Sequence, residues 1–290
     1  MKKIVLAIAA LALTSASFAQ IPSIFNVHHQ ANQPKHAVLS AAKRAAIIKA
    51  GHNPDSSTDC AFTFTSGTGN TFLNYCLSSA GNILVLETPE GHPEMSSDAA
   101  EGYGLCDAST NVGYFDWGGF LDSGNWGSPV LLSNSGKVVK IARTTSDGIW
   151  TLTQTITQVS GDTPEVKIAM AVRNNTPDIR EAVLMRYADV DADANDIDEL
   201  DATFGTAMAY NSTFTGDGGQ PFGLSLQNEG NTPFSFDAFS QFTFLPPNPC
   251  SPFSFAAGPL ESTDGSIVQL YFMPLNPFKS GTVTVSYRGL

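Results

Sequence analysis

Between residues 137 and 192 the chain runs through segments that alternate apolar and polar residues, and this pattern leaves few folds open. The segments are 137–143 (KVVKIAR), 150–159 (WTLTQTITQV), 165–173 (EVKIAMAVR) and 181–187 (EAVLMRY). Apolar side chains at every second position are the signature of a strand with one covered face. The breaks hold Ser146-Asp147-Gly148, Gly161-Asp162-Thr163-Pro164 and Asn174-Asn175-Thr176-Pro177, all of them turn chemistry. Connections this short cannot carry crossover helices, so successive strands pair antiparallel.

The same alternation recurs at 60–65 (CAFTFT), 82–87 (NILVLE), 267–272 (IVQLYF) and 281–287 (GTVTVSY). Helical periodicity is missing from these stretches. The expectation is a mostly β chain, with one large antiparallel β-sandwich over residues 55–290. One segment departs from it. Residues 39–50 (LSAAKRAAIIKA) are strong helix formers, and Gly51 stands where a helix would end. Residues 20–54 therefore read as an arm carrying a short N-terminal helix.

Residues 1–19 read as a secretory signal. Lys2 and Lys3 precede an apolar run from Ile4 to Leu13, and Ser17 and Ala19 are the small residues a peptidase reads before Gln20. That run is too short to span a bilayer. The expectation is a secreted protein, periplasmic or extracellular, with no membrane insertion after the signal is removed. The formal net charge of -12 fits no polyanionic partner. It argues against nucleic acid, whose binding needs basic side chains on phosphates, and against docking to an anionic membrane surface.

Cys60, Cys76, Cys106 and Cys250 fit an oxidising compartment as a disulfide framework. No CxxC pair occurs among them, so neither a zinc knuckle nor a thioredoxin-type site is signalled. The spacing favours Cys60–Cys76, joining neighbouring strands, and Cys106–Cys250, tying the C-terminal part to the middle. The other pairings stay open at this point.

Several stretches carry candidate chemistry. In 189–198 the residues Asp189, Asp191 and Asp193 alternate with small or apolar ones, followed by Asn195 and Asp198. Oxygen ligands at this spacing can converge on a hard cation, and the stretch resembles a calcium loop of the D-x-D-x-D type. It is not an EF-hand: Ala194 stands at the turn glycine and Leu200 at the closing glutamate. The competing readings are an exposed acidic loop and a pair of catalytic carboxylates in Asp189 and Asp191. Around Tyr114, Asp116, Trp117 and Trp126, rings are interleaved with Gly, Asp and Asn. Flat rings beside carboxylates suit a glycan surface; the alternative is sandwich core. Residues 87–94 (ETPEGHPE) place His92 between Glu90 and Glu94, as a metal or acid–base cluster or as a plain surface loop. The Phe-rich region 234–255 suits inter-sheet packing better than ligand contact, because Phe lacks a polar handle.

The sequence contains no GxSxG elbow, HExxH, Walker A loop or GxGxxG, which disfavours the corresponding hydrolases, proteases and nucleotide enzymes. Asn174-Asn175-Thr176 and Asn211-Ser212-Thr213 match the N-glycosylation pattern, which is short and common. Taken together, the residues favour a non-catalytic secreted binding or surface protein. An extracellular polysaccharide is the favoured partner and calcium the candidate structural ion. The alternatives are an enzyme acting on polysaccharide through paired carboxylates, and a structural component of the cell surface.

Overall fold

In the computed structural model of the chain, strand 150–159 shows the alternation in full: its inward residues are buried and its outward ones half-buried along all its length. The structure describes residues 59–95, 101–118, 122–192, 199–215, 221–241, 246–252, 260–261 and 265–290. The signal and the helix expected at 39–50 lie outside them.

Among the described residues all the strand pairings are antiparallel, and they form three sheets. The first is four-stranded: β1 (Phe62–Ser66), β2 (Leu73–Leu77), β3 (Ile83–Glu87) and β4 (Pro93–Met95), in chain order. The second has five strands, ordered β15 (Ser235–Gln241), β17 (Gly265–Leu275), β11 (Arg180–Val190), β5 (Glu101–Asp107) and β6 (Val112–Asp116). The third has nine. Its order is β16 (Leu260–Glu261), β12 (Glu199–Thr203), β13 (Thr206–Thr215), β14 (Pro221–Asn228), β18 (Ser280–Gly289), β10 (Glu165–Asn174), β9 (Trp150–Val159), β8 (Val138–Thr144) and β7 (Val130–Asn134). The expected meander is therefore present as β8–β9–β10, but β11 leaves for the other sheet and the last strand, β18, takes its place beside β10.

The nine-stranded sheet presents Val139, Ile141, Leu152, Ile156, Ile168, Met170, Val283 and Val285 to one continuous core, shared with Leu184 and Ile267 of the five-stranded sheet and Leu77 and Ile83 of the four-stranded one. Each such side chain contributes about 1.5–3 kcal/mol by leaving water. A second cluster lies on the far face of the five-stranded sheet: Trp117, Met185, Tyr187, Phe239, Val268 and Leu270. Strands β11 and β17 are thus covered on both faces, which is why β17 is buried over most of its length. Part of that cover is the segment 246–252. A Cβ added to Gly104 would meet Trp117 at 2.9 Å and Pro249 at 3.1 Å, so only glycine lets the segment close on β5.

The disulfides are Cys60–Cys76 and Cys106–Cys250, with Cα separations of 5.4 and 5.0 Å. The first staples the chain just before β1 to β2; the second holds residues 246–252 against β5. Among the described residues no helix is long and apolar enough to cross a membrane.

Candidate functional site

At one end of β10 and β18 a groove of about 560 Å³ opens among chain segments distant in sequence. One wall is the loop joining β3 to β4. Its backbone closes on itself, with Thr88 N–H donating to His92 O (3.0 Å) and His92 N–H to Pro89 O (3.1 Å). Gly91 supplies the left-handed turn residue at φ +87°, and its N–H donates to Glu87 Oε1 at 2.8 Å. Glu90 fastens this loop to the turn before β2: its Oε2 accepts from Gly69 N–H at 2.7 Å, and its own N–H donates to Gly69 O at 3.1 Å.

The opposite wall is the end of β18 and the start of β14. A Cβ on Gly289 would meet the Thr88 side chain at 2.8 Å and its carbonyl at 3.0 Å, so glycine permits the close approach that forms the groove. Phe222 of β14 stacks on His92, ring centroids 3.6 Å apart and planes within 13°. The β9–β10 turn adds Asp162, Thr163 and Pro164. Arg288 also lines the groove, but its charge is committed. Its Nε donates to Glu165 Oε2 (2.5 Å) and its terminal nitrogen to Glu229 Oε1 (2.8 Å), while Lys167 Nζ lies 3.0 Å from Glu165 and 3.5 Å from Glu229. Burial works to raise the Glu165 pKa, yet the bonds from Lys167 and Arg288 hold it below the ordinary value. The bond to Glu165 raises that of Lys167.

The aromatic stretch expected to face a glycan does not face solvent. Tyr114, Asp116 and Trp117 are at most 1% exposed and Trp126 is 6% exposed. The reason is physical: Trp117 packs edge-on against Tyr187 in the outer cluster, while Trp126 sits edge-on between Tyr103 and Tyr114 in the main core. Asp116 is part of a buried polar chain between the sheets. Arg143 donates to it at 2.5 Å and to Tyr103 Oη at 3.1 Å, and Asp122 lies 3.6 Å from the same guanidinium. Farther along, Arg186 pairs with Glu101 and donates to Gln154 Oε1 at 2.6 Å, and Tyr287 donates to Glu101 at 2.9 Å. Such a chain fixes the sheets against each other and reaches no surface.

Of the calcium candidates, Asp189 and Asp191 are buried at the end of β11, where Asp191 N–H donates to Glu94 O of β4 at 3.1 Å. Asp193, Asn195 and Asp198 lie outside the described residues. Among the described residues, no group of three or more His, Cys, Asp or Glu is disposed to hold a metal. The cluster at 87–94 is split: Glu90 and His92 line the groove, whereas Glu94 is buried in β4. Asn174 and Asn211, the two glycosylation-pattern asparagines, are buried, and Asn174 spends its amide on the carbonyls of Asp178 and Leu275. Phe239 belongs to the outer cluster, and Phe234 and Phe236 pack against the main core; residues 242–245 and 253–259 lie outside the described set.

No family model and no curated protein matches this chain. Solved structures do, at low similarity. One is a heparinase III, the BT4657 gene product with methylated lysines, at 8% identity and a TM-score of 0.35; the match covers 78% of this chain and 36% of that one. Another, described as a crystal structure analysis of HI1317, has 10% identity and a TM-score of 0.33, covering 79% and 92%. The chain thus spans about a third of the heparinase III. Likeness at this level carries no functional argument, and the groove is read from its own chemistry.

Residue order alone gave no route to Phe222, Arg288 or Asp162 as groove residues. They meet His92 only because β18 inserts between β14 and β10. The only local signal was the Pro- and Gly-rich loop at 88–93.

Proposed function

We propose that the protein is a secreted, non-catalytic binding protein whose groove takes an extracellular glycan. The observation that carries this reading is the lining of the groove, where a stacked ring pair stands beside hydrogen-bonding groups. A pyranose offers both kinds of surface: C–H faces for the open side of the ring pair, and hydroxyls for Asn70, Glu90, Asp162 and Thr163. The volume lies within the range of roughly 300–1,000 Å³ usual for ligand sites. Binding is favoured over cleavage because two of the groove's charged groups already have structural work. Glu90 ties two loops together and Arg288 is held between two glutamates. Export is supported by the signal-like segment 1–19 and by two disulfides, which suit an oxidising compartment.

The test is co-sedimentation of residues 20–290 with insoluble polysaccharides, with released sugar assayed in the supernatant. The expected result is sedimentation without release, and a loss of about tenfold in affinity for Phe222→Ala, the order set by losing a ring contact of about 1–1.5 kcal/mol. The melting temperature of that variant should stay close to the parent's, since Phe222 is half-exposed. Affinity unchanged in Phe222→Ala removes the groove from the reading, and released sugar makes the protein an enzyme. A structural calcium held by the acidic stretch 189–198 belongs to the same proposal; it requires a higher melting temperature in Ca²⁺ than in chelator, and equal values end it.

A further inference from the structure

We infer that the groove selects glycans bearing free amino groups, that is, polymers of 2-amino sugars in their ammonium form, over neutral and anionic ones. The inference rests on the reading of the groove as a glycan site and names the class of sugar it takes.

The argument is one of charge complementarity around a ring. The cations nearest the groove are Arg288 and Lys167, and both are spent on Glu165 and Glu229. Two cations against two carboxylates leave that cluster close to neutral. What remains at the walls is Glu90 and Asp162, with Glu87 directly behind, its Oε1 on Gly91 N–H. The bond from Gly69 N–H fixes the Glu90 carboxylate in place without cancelling its charge. The field inside the groove is therefore negative, and the net charge of -12 on the chain adds to it at long range. A uronic acid or sulfated sugar would bring a like charge to these walls, where among the described residues no uncommitted Arg or Lys stands to meet it and the lining's imidazole, His92, has one face covered by Phe222. An ammonium finds the opposite: carboxylates to accept its hydrogen bonds, and the face of the Phe222 ring that His92 leaves open, which attracts cations. The ring stack suits the sugar's C–H face, and the carboxylates suit its amine.

The experiment is titration calorimetry with short soluble oligomers of glucosamine, of N-acetylglucosamine and of a uronic acid, at mildly acidic pH. An acidic protein attracts any polycation, so overall charge has to be separated from the groove. The variant Glu90→Gln/Asp162→Asn removes two charges at the groove. The control Asp178→Asn/Glu181→Gln removes two exposed charges at the far end of β10 and β11. Gln at position 90 keeps an acceptor for Gly69 N–H, and melting temperatures confirm that both variants fold.

The expected result is tightest binding of the glucosamine oligomer, weakened about tenfold in the groove variant and little changed in the control. Added salt should weaken this binding, as it screens the wall charges. Equal losses in the two variants would assign the attraction to overall charge and overturn the inference. N-acetylglucosamine binding as tightly as glucosamine would overturn it too, while leaving the groove a glycan site if Phe222→Ala still reduces affinity. Tighter binding of the uronic acid oligomer would reverse the sign of the argument. If no oligomer and no insoluble polysaccharide binds, the glycan reading itself fails and the inference falls with it.

Discussion

Asp116 sits where burial and a guanidinium pull its proton in opposite directions. Burial raises its pKa and Arg143 lowers it, and burial prevails, taking the group from 3.8 up to about 7. The sign of the consequence follows from proton counting. Between about 4 and 7 the folded protein keeps a proton on Asp116 that the unfolded chain has released. The folded state then binds more protons, so stability falls as pH rises through that window. The expected outcome is a melting temperature higher near pH 5 than near pH 8, with the slope reduced in Asp116→Asn. A slope unchanged by that substitution would assign it to other groups. This residue also shows where sequence reasoning stopped. Tyr114, Asp116, Trp117 and Trp126 have the right types for a sugar platform, but whether a ring is wet or dry depends on what lies above it. For Trp117 that is decided by Tyr187, Phe239 and Pro249, from three other parts of the chain, and for Trp126 by Tyr103 and Tyr114.

At the scale of elements, legibility followed the number of covered faces. Strands β8, β9, β10 and β18 have one covered face each, and their alternation was plain in the sequence. Strands β11 and β17 are covered on both, so their partners could not be read from period-2 patterning. The cover on that second face is held by Cys106–Cys250, which closes a separation of 144 residues, whereas Cys60–Cys76 closes 16. In the chain-entropy account a loop of about 15 residues gains about 3 kcal/mol from its disulfide, and one of 100 or more gains about 4.7. Cys106→Ala/Cys250→Ala should therefore lower stability by more than Cys60→Ala/Cys76→Ala, by about 1–2 kcal/mol in denaturant titration. The loss is expected to centre on the outer cluster, because that disulfide anchors the segment packed over Gly104 and Gly113. A smaller loss for the long loop would mean that residues 246–252 stay on β5 without it.

For the whole molecule, the excess of acidic residues, 27 against 15 basic, works on stability and on binding with opposite signs. Like charges repel one another across the folded surface, so the compact state gains when salt screens them. Raising ionic strength from about 0.01 to 0.15 M shortens the screening length from about 30 to 8 Å, which covers most distances across one sheet. The buried pairs Arg143–Asp116 and Arg186–Glu101 are shielded from that change, since their side chains are 2% exposed or less. The melting temperature should therefore rise with salt over this range by a few degrees. The attraction between the groove walls and an ammonium ligand should weaken over the same range. Stability and affinity moving in opposite directions in one salt series separates a charge-selective groove from a loss of fold, because an unfolding protein would lose both together. A melting temperature that falls with salt would mean that half-buried pairs such as Lys167–Glu229 outweigh the general repulsion. The acidic surface would then be organised into pairs, not left as a field.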